Sequence, residues 1–188
     1  MSHRINYSAI LFNCDKERCE RMYWYFLRYK SDSSKRLIDF FNSQKNTFAF
    51  IPKTEKWYSI NGVKSWVVKN MYPDYVFVRC DLDEISFMRK YKEFLESVKN
   101  SVTLVNQGNS LSLQQSLSAI YDKLFNGEDT IRHSVGNIVN SKLIVDTGPI
   151  MGLEDYVIKI NRHHRIAMLD FRLNNSVIKI PLEVVSKS

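Results

Sequence analysis

Hydrophobic patterning along the chain changes character at Met22. The first 21 residues are polar and hold no sustained period, so residues 1–21 are expected to form a poorly ordered, dispensable extension. After them, Tyr23-Trp24-Tyr25-Phe26-Leu27-Arg28-Tyr29 is an aromatic-rich run that reads as a buried strand. Asp32-Ser33-Ser34 then offers caps for a helix whose Leu37, Phe40 and Phe41 recur at helical spacing. A second strand is expected over 47–51, stopped by Pro52. Trp57-Tyr58 and Ser65-Trp66-Val67-Val68 flank Asn61-Gly62, a strong signal for a tight hairpin turn. Tyr72-Pro73-Asp74 reads as a turn, and Tyr75-Val76-Phe77-Val78 as the strand after it. Asp81 or Asp83 can cap a short helix bearing Ile85, Met88 and Tyr91, and residues 102–105 fit a short strand. Ser112-Leu113-Gln114-Gln115 has the form of a capping box, opening a helix with Leu117, Ile120, Tyr121 and Leu124 on one face, closed by Gly127. The order strand, helix, strand, hairpin, strand, helix, strand, helix over 22–126 predicts an α+β domain: an antiparallel sheet with packed helices.

Residues 127–137 are polar and turn-rich, and read as a linker. Beyond them no helical period survives. Residues 142–145, 155–160, 166–171 and 177–182 read as short strands, with Asn174-Asn175 as a hairpin turn. Closely spaced strands over 138–188 predict a small all-β barrel, because closure removes exposed edges.

Composition narrows the chemistry. Apolar residues at 44% supply folded cores. No apolar run approaches the roughly 20 residues that a membrane-spanning helix requires, and the run at Ala9-Ile10-Leu11-Phe12 is too short for an export signal. The expectation is a cytoplasmic monomer with no membrane partner. Cys14, Cys19 and Cys80 are odd in number and scattered, which reads as free thiols in a reducing compartment. Asp81, Asp83 and Glu84 are explained by helix capping without a metal, and His163 and His164 are adjacent, so neither set has ligand spacing. No phosphate-binding glycine loop, nucleophile elbow or metalloprotease helix is written in the chain, so no enzymatic activity and no cofactor are expected. The net charge of +7 points to a polyanionic partner, provided the charge is concentrated.

Two stretches resemble one family. Ala49-Phe50-Ile51-Pro52, the hairpin, and Met71-Tyr72-Pro73-Asp74-Tyr75-Val76-Phe77-Val78 resemble the core of NusG amino-terminal domains. Gly148-Pro149-Ile150-Met151-Gly152-Leu153-Glu154-Asp155 resembles the glycine-centred start of a KOW motif. Within the family, Ile158-Lys159-Ile160-Asn161-Arg162-His163-His164-Arg165-Ile166-Ala167 resembles the specialised antiterminator branch called LoaP. Asp74 stands where the family usually has glycine, and aspartate tolerates turn conformations.

The resemblance implies a transcription elongation regulator that docks an apolar concave face on the clamp helices of RNA polymerase. Tyr75 and Phe77 are the expected polymerase contacts, with Trp24 and Phe50 as core behind them. Lying two residues apart on one strand, Tyr75 and Phe77 share a sheet face, so both are buried or both available. From Val135 onward seven Lys/Arg oppose five Asp/Glu, a net charge of only +2. The cations that matter therefore cluster: Arg162, His163, His164 and Arg165 form one turn with Lys159 before it, all on one hairpin, suited to the phosphates and unpaired bases of nascent or leader RNA. The competing reading is an ordinary solvated turn, with the barrel engaging a ribosomal protein instead; the alternatives for the whole chain are a general NusG elongation factor and a ribosome-associated KOW protein that binds RNA.

Overall fold

The computed structural model describes residues 21–30, 33–107, 110–173 and 176–188. The extension anticipated over 1–21, apart from Arg21, and the Asn174-Asn175 turn lie outside these residues.

The long apolar runs fold into a sheet buried on both faces. Strands β1 (Tyr23–Tyr29), β2 (Thr47–Phe50), β5 (Tyr75–Cys80) and β6 (Val102–Leu104) pair antiparallel in the order β2-β5-β1-β6. The pleat sorts each run into two sets. Tyr25, Leu27, Ala49, Val76 and Val78 share a core with Leu37 and Phe41 of α1 (Ser34–Asn42) and with Phe87 and Tyr91 of α2 (Glu84–Val98). Trp24, Phe26, Phe50, Tyr75 and Phe77 pack oppositely, with Ile120, Tyr121, Leu124 and Phe125 of α3 (Gln115–Phe125).

Caps follow local chemistry. Asp83 opens α2 by accepting the Ser86 amide at 2.8 Å. Ser33 is the α1 N-cap without a side-chain capping bond, its hydroxyl donating instead to the Lys30 carbonyl at 3.3 Å. The capping box at Ser112 does not form: the N-cap of α3 is Gln114, again without a side-chain bond. Ser112 is committed elsewhere, because its segment bridges Tyr25 while Glu84 accepts the Ser110 hydroxyl at 2.6 Å and the Leu111 amide at 3.0 Å. Asn126 and Gly127, both left-handed, end α3.

The remaining amino-terminal strands form a hairpin, β3 (Lys53–Ile60) and β4 (Val63–Asn70), turning at Asn61-Gly62 with positive φ at both positions. The stretch read as a linker, 127–137, is structured. Its β7 (Thr130–Ile131) adds to β3 in parallel, and β8 (Ser134–Val139) begins before the stretch ends.

β8 leads the carboxy-terminal unit, with β9 (Lys142–Thr147), β10 (Val157–Asn161), β11 (Ile166–Leu173) and β12 (Ser176–Lys187) in the order β10-β11-β12-β8-β9. Among the described residues no ladder joins β9 to β10, so closure is incomplete; a 3-10 turn at Glu154–Tyr156 packs against β9 and β11 instead. Gly148 shows why this unit needs glycine. Its φ is +100°, and a Cβ there would meet the Ser134 Cα at 2.5 Å. The two units are not separate bodies: Ile150, Leu153, Ala167, Leu169, Ile178, Ile180 and Leu182 continue the core that holds Phe77 and α3.

Candidate binding surfaces and the joint between the units

Phe77 is wholly buried and Tyr75 only 9% exposed. The Phe77 ring meets Phe26 at 4.4 Å, Trp24 at 6.4 Å, Phe125 at 6.0 Å and Tyr121 at 6.2 Å. The expectation that this pair forms an exposed docking patch is therefore corrected: both side chains are buried in the core that α3 shares. Trp24 and Phe50 are buried with them. Asp74 takes the role of a clasp, its carboxylate accepting the Arg28 guanidinium at 2.7 Å.

The basic turn divides into two parts. Arg162, His163 and His164 are exposed on the four-residue turn between β10 and β11, and Lys159 is exposed on β10. The two histidine rings lie 5.1 Å apart, edge to face, and the His164 amide donates to Asn161 Oδ1 at 3.0 Å. Arg165 does not join them. It sits at positive φ with its guanidinium 3.7 Å above the Trp57 ring and Nη1 2.6 Å from Glu183. Its charge and its flat face are both engaged, so the expected RNA contact at Arg165 is corrected to a bond between the units.

Around Arg165 lies a joint that pattern reading missed. Trp57 and Trp66 are directly opposed on β3 and β4, edge to face at 5.3 Å. Trp66 in turn stacks on His133 at 4.4 Å and 8°. Glu55 lies beneath, taking the His133 amide at 2.7 Å, the His133 Nδ1 at 2.6 Å and Arg132 at 3.4 Å. Burial pushes the Glu55 carboxyl up, but the His133 and Arg132 bonds outweigh it and hold the group below the usual carboxylate range. Burial acts likewise on Asp129, overcome by Lys53 at 2.6 Å and by Thr130. A signal for the tryptophan pair was present in the sequence: each lies four positions from its own residue of the Asn61-Gly62 turn, which a two-residue hairpin places face to face.

Beside the joint, a cleft of about 670 Å³ opens between β3 and the β11–β12 hairpin. Elsewhere Cys80 is buried, its thiol pushed up to about 11 by that burial, and among the described residues no cluster of His, Cys, Asp and Glu has metal-binding geometry. No helix of the described residues is long and apolar enough to cross a membrane.

The architecture is a helix-flanked antiparallel sheet joined to a β unit through an aromatic and basic seam. Residues 22–122 match the family model described as transcription termination factor nusG, more than half the chain. The chain belongs to the NusG family, whose members are non-enzymatic transcription elongation factors that bind RNA polymerase. A comparison with curated proteins finds no match.

Proposed function

We propose that the protein is a specialised antitermination factor of the LoaP type. Its 22–126 domain docks on the clamp helices of RNA polymerase, and its 138–188 unit acts as a KOW module that contacts nascent or leader RNA in the cytoplasm. Polymerase docking uses the outer surface of the domain, with Tyr75 and Phe77 supporting that surface from inside. By bridging the polymerase cleft it holds the clamp closed, which disfavours pausing and intrinsic termination.

The observation that carries this reading is the union of a NusG-type domain with a second unit that presents Arg162, His163 and His164 on one exposed turn, with Lys159 exposed on the strand before it. Neither Lys159 nor Arg162 has a carboxylate partner among the described residues, so both are available to phosphate. The small net charge of the unit, seven Lys/Arg against five Asp/Glu, favours one second reading. In that reading the unit engages a ribosomal protein and the chain is a general elongation factor.

Single-round transcription through an intrinsic terminator downstream of a structured leader separates the two. The wild type is expected to raise read-through only when the leader is present. The double variant Lys159→Ala/Arg162→Ala should lose that leader dependence while still associating with polymerase. Equal read-through by both proteins on leaderless templates would instead support the general factor.

A further inference from the structure

The cleft between the units has the chemistry of a nucleic-acid channel. β7 ends at Ile131, so from Glu55 onward no strand among the described residues pairs with the second edge of β3, which faces β12 across the cleft. Lys56 and Tyr58 from β3, Tyr72, His164 and Lys179 line this space. The Arg165–Trp57 stack also lines it, Trp57 from the opposite face of β3 to Lys56 and Tyr58, and neither of the stacked groups is free to receive a ligand.

Charge and ring chemistry then select the occupant. The two acids nearest the cleft are already neutralised, Glu55 by His133 and Arg132 and Glu183 by Arg165. Lys56 and Lys179 have no carboxylate partner among the described residues and are exposed. Tyr58 is 41% exposed, unusual for an aromatic ring in so aromatic a protein, and Lys69 Nζ lies 5.9 Å from its centre. Unpaired ammonium groups beside a partly exposed ring, which the Lys69 ammonium already approaches, match a polymer that alternates phosphates with unstacked bases. A double helix does not fit a cleft of this size, whereas one or two nucleotides do: ligand pockets run from roughly 300 to 1,000 Å³.

We propose that this cleft binds single-stranded RNA, with a base on Tyr58 and flanking phosphates on Lys56 and Lys179. The proposal rests on the RNA reading above and extends it: the strand leaving the β10–β11 turn enters the cleft through His164, which belongs to both. Both units then build the site, and RNA bound there holds them together.

The test is fluorescence anisotropy of the full chain with a labelled ten-nucleotide single-stranded RNA at two salt concentrations. Tyr58→Ala should weaken binding about tenfold and leave the salt slope unchanged, because stacking releases no counterion. Lys56→Ala/Lys179→Ala should weaken binding and flatten the slope by about 0.7 for each phosphate that is no longer neutralised. All three side chains are exposed, so thermal unfolding should match the wild type. Wild-type affinity in both variants, with weaker binding only in Lys159→Ala/Arg162→Ala, would overturn the cleft while leaving the turn as the RNA contact. No RNA binding by the wild type would overturn both. Tighter binding of the DNA counterpart would overturn the assignment to RNA.

Discussion

Phe77 and Tyr75 project from β5 toward the face that α3 covers, and their neighbours Val76 and Val78 project toward α1 and α2. The sequence carried a sign of this. A strand with one wet face alternates apolar and polar residues, whereas Tyr75-Val76-Phe77-Val78 and the run from Tyr23 to Leu27 are apolar throughout, the pattern of a strand covered on both sides. The shared face of Tyr75 and Phe77 was legible from the two-residue spacing. That the face is buried depended on α3, more than 35 positions further along the chain. Phe77→Ala should therefore lower the stability of the chain by about 3–5 kcal/mol, the cost of emptying an aromatic site in a packed core. Chemical denaturation measures it; a loss under about 1 kcal/mol would mean that the ring is not core. Arg165 shows the reverse error. A basic residue on a turn looks solvated until the partner ring, over 100 positions away, is known.

Elements with strong local signals were readable in place but not in detail: the Asn61-Gly62 hairpin stands where pattern put it, the Asp83-capped helix runs on to Val98 and buries Phe87 and Tyr91 while Ile85 and Met88 are exposed, and α3 keeps its apolar face but starts after the expected capping box. β7 and β8 were not. Thr130 and Ile131 make a strand of two residues only because Lys53 and Thr54 supply the ladder, and Ser134 is a polar residue that the fold buries completely. The polar look of 127–137 comes from groups that are satisfied at long range: Asp129 by Lys53, Arg132 and His133 by Glu55. This seam has a pH dependence whose sign is fixed. Glu55 and Asp129 are held below their ordinary range in the folded chain, so their stabilisation is fully present above the unfolded carboxylate values, near 4, and is lost as pH falls through the folded ones. Glu55→Gln should cost about 1–2 kcal/mol near neutrality, the worth of hydrogen bonds to a charged acceptor. The gap between variant and wild-type melting temperatures should stay at its full size down to about pH 4 and narrow as pH falls further below it. A gap that stays constant across this range would show that the carboxylate charge contributes nothing to the seam.

The whole molecule reads as one body because its largest core runs from Trp24 through α3 into Leu182. Pattern reading recovered both units and their order, since each has its own periodicity, but the seam between them is built from side chains on hairpins distant in sequence: Trp57, Trp66, His133, Arg165. Beyond the Trp57–Trp66 pairing that the Asn61-Gly62 turn implies, such a joint leaves no local trace. Its functional weight comes from the family: a NusG-type domain must meet RNA polymerase, whatever its second unit does. The most direct test is association of the purified chain with a stalled RNA polymerase elongation complex, followed by native gel shift. The account predicts a stoichiometric complex that forms without RNA beyond the polymerase footprint, and a fragment of the clamp helices should compete for it. A folded chain that leaves the elongation complex unshifted, at concentrations where a general NusG protein shifts it, would contradict it.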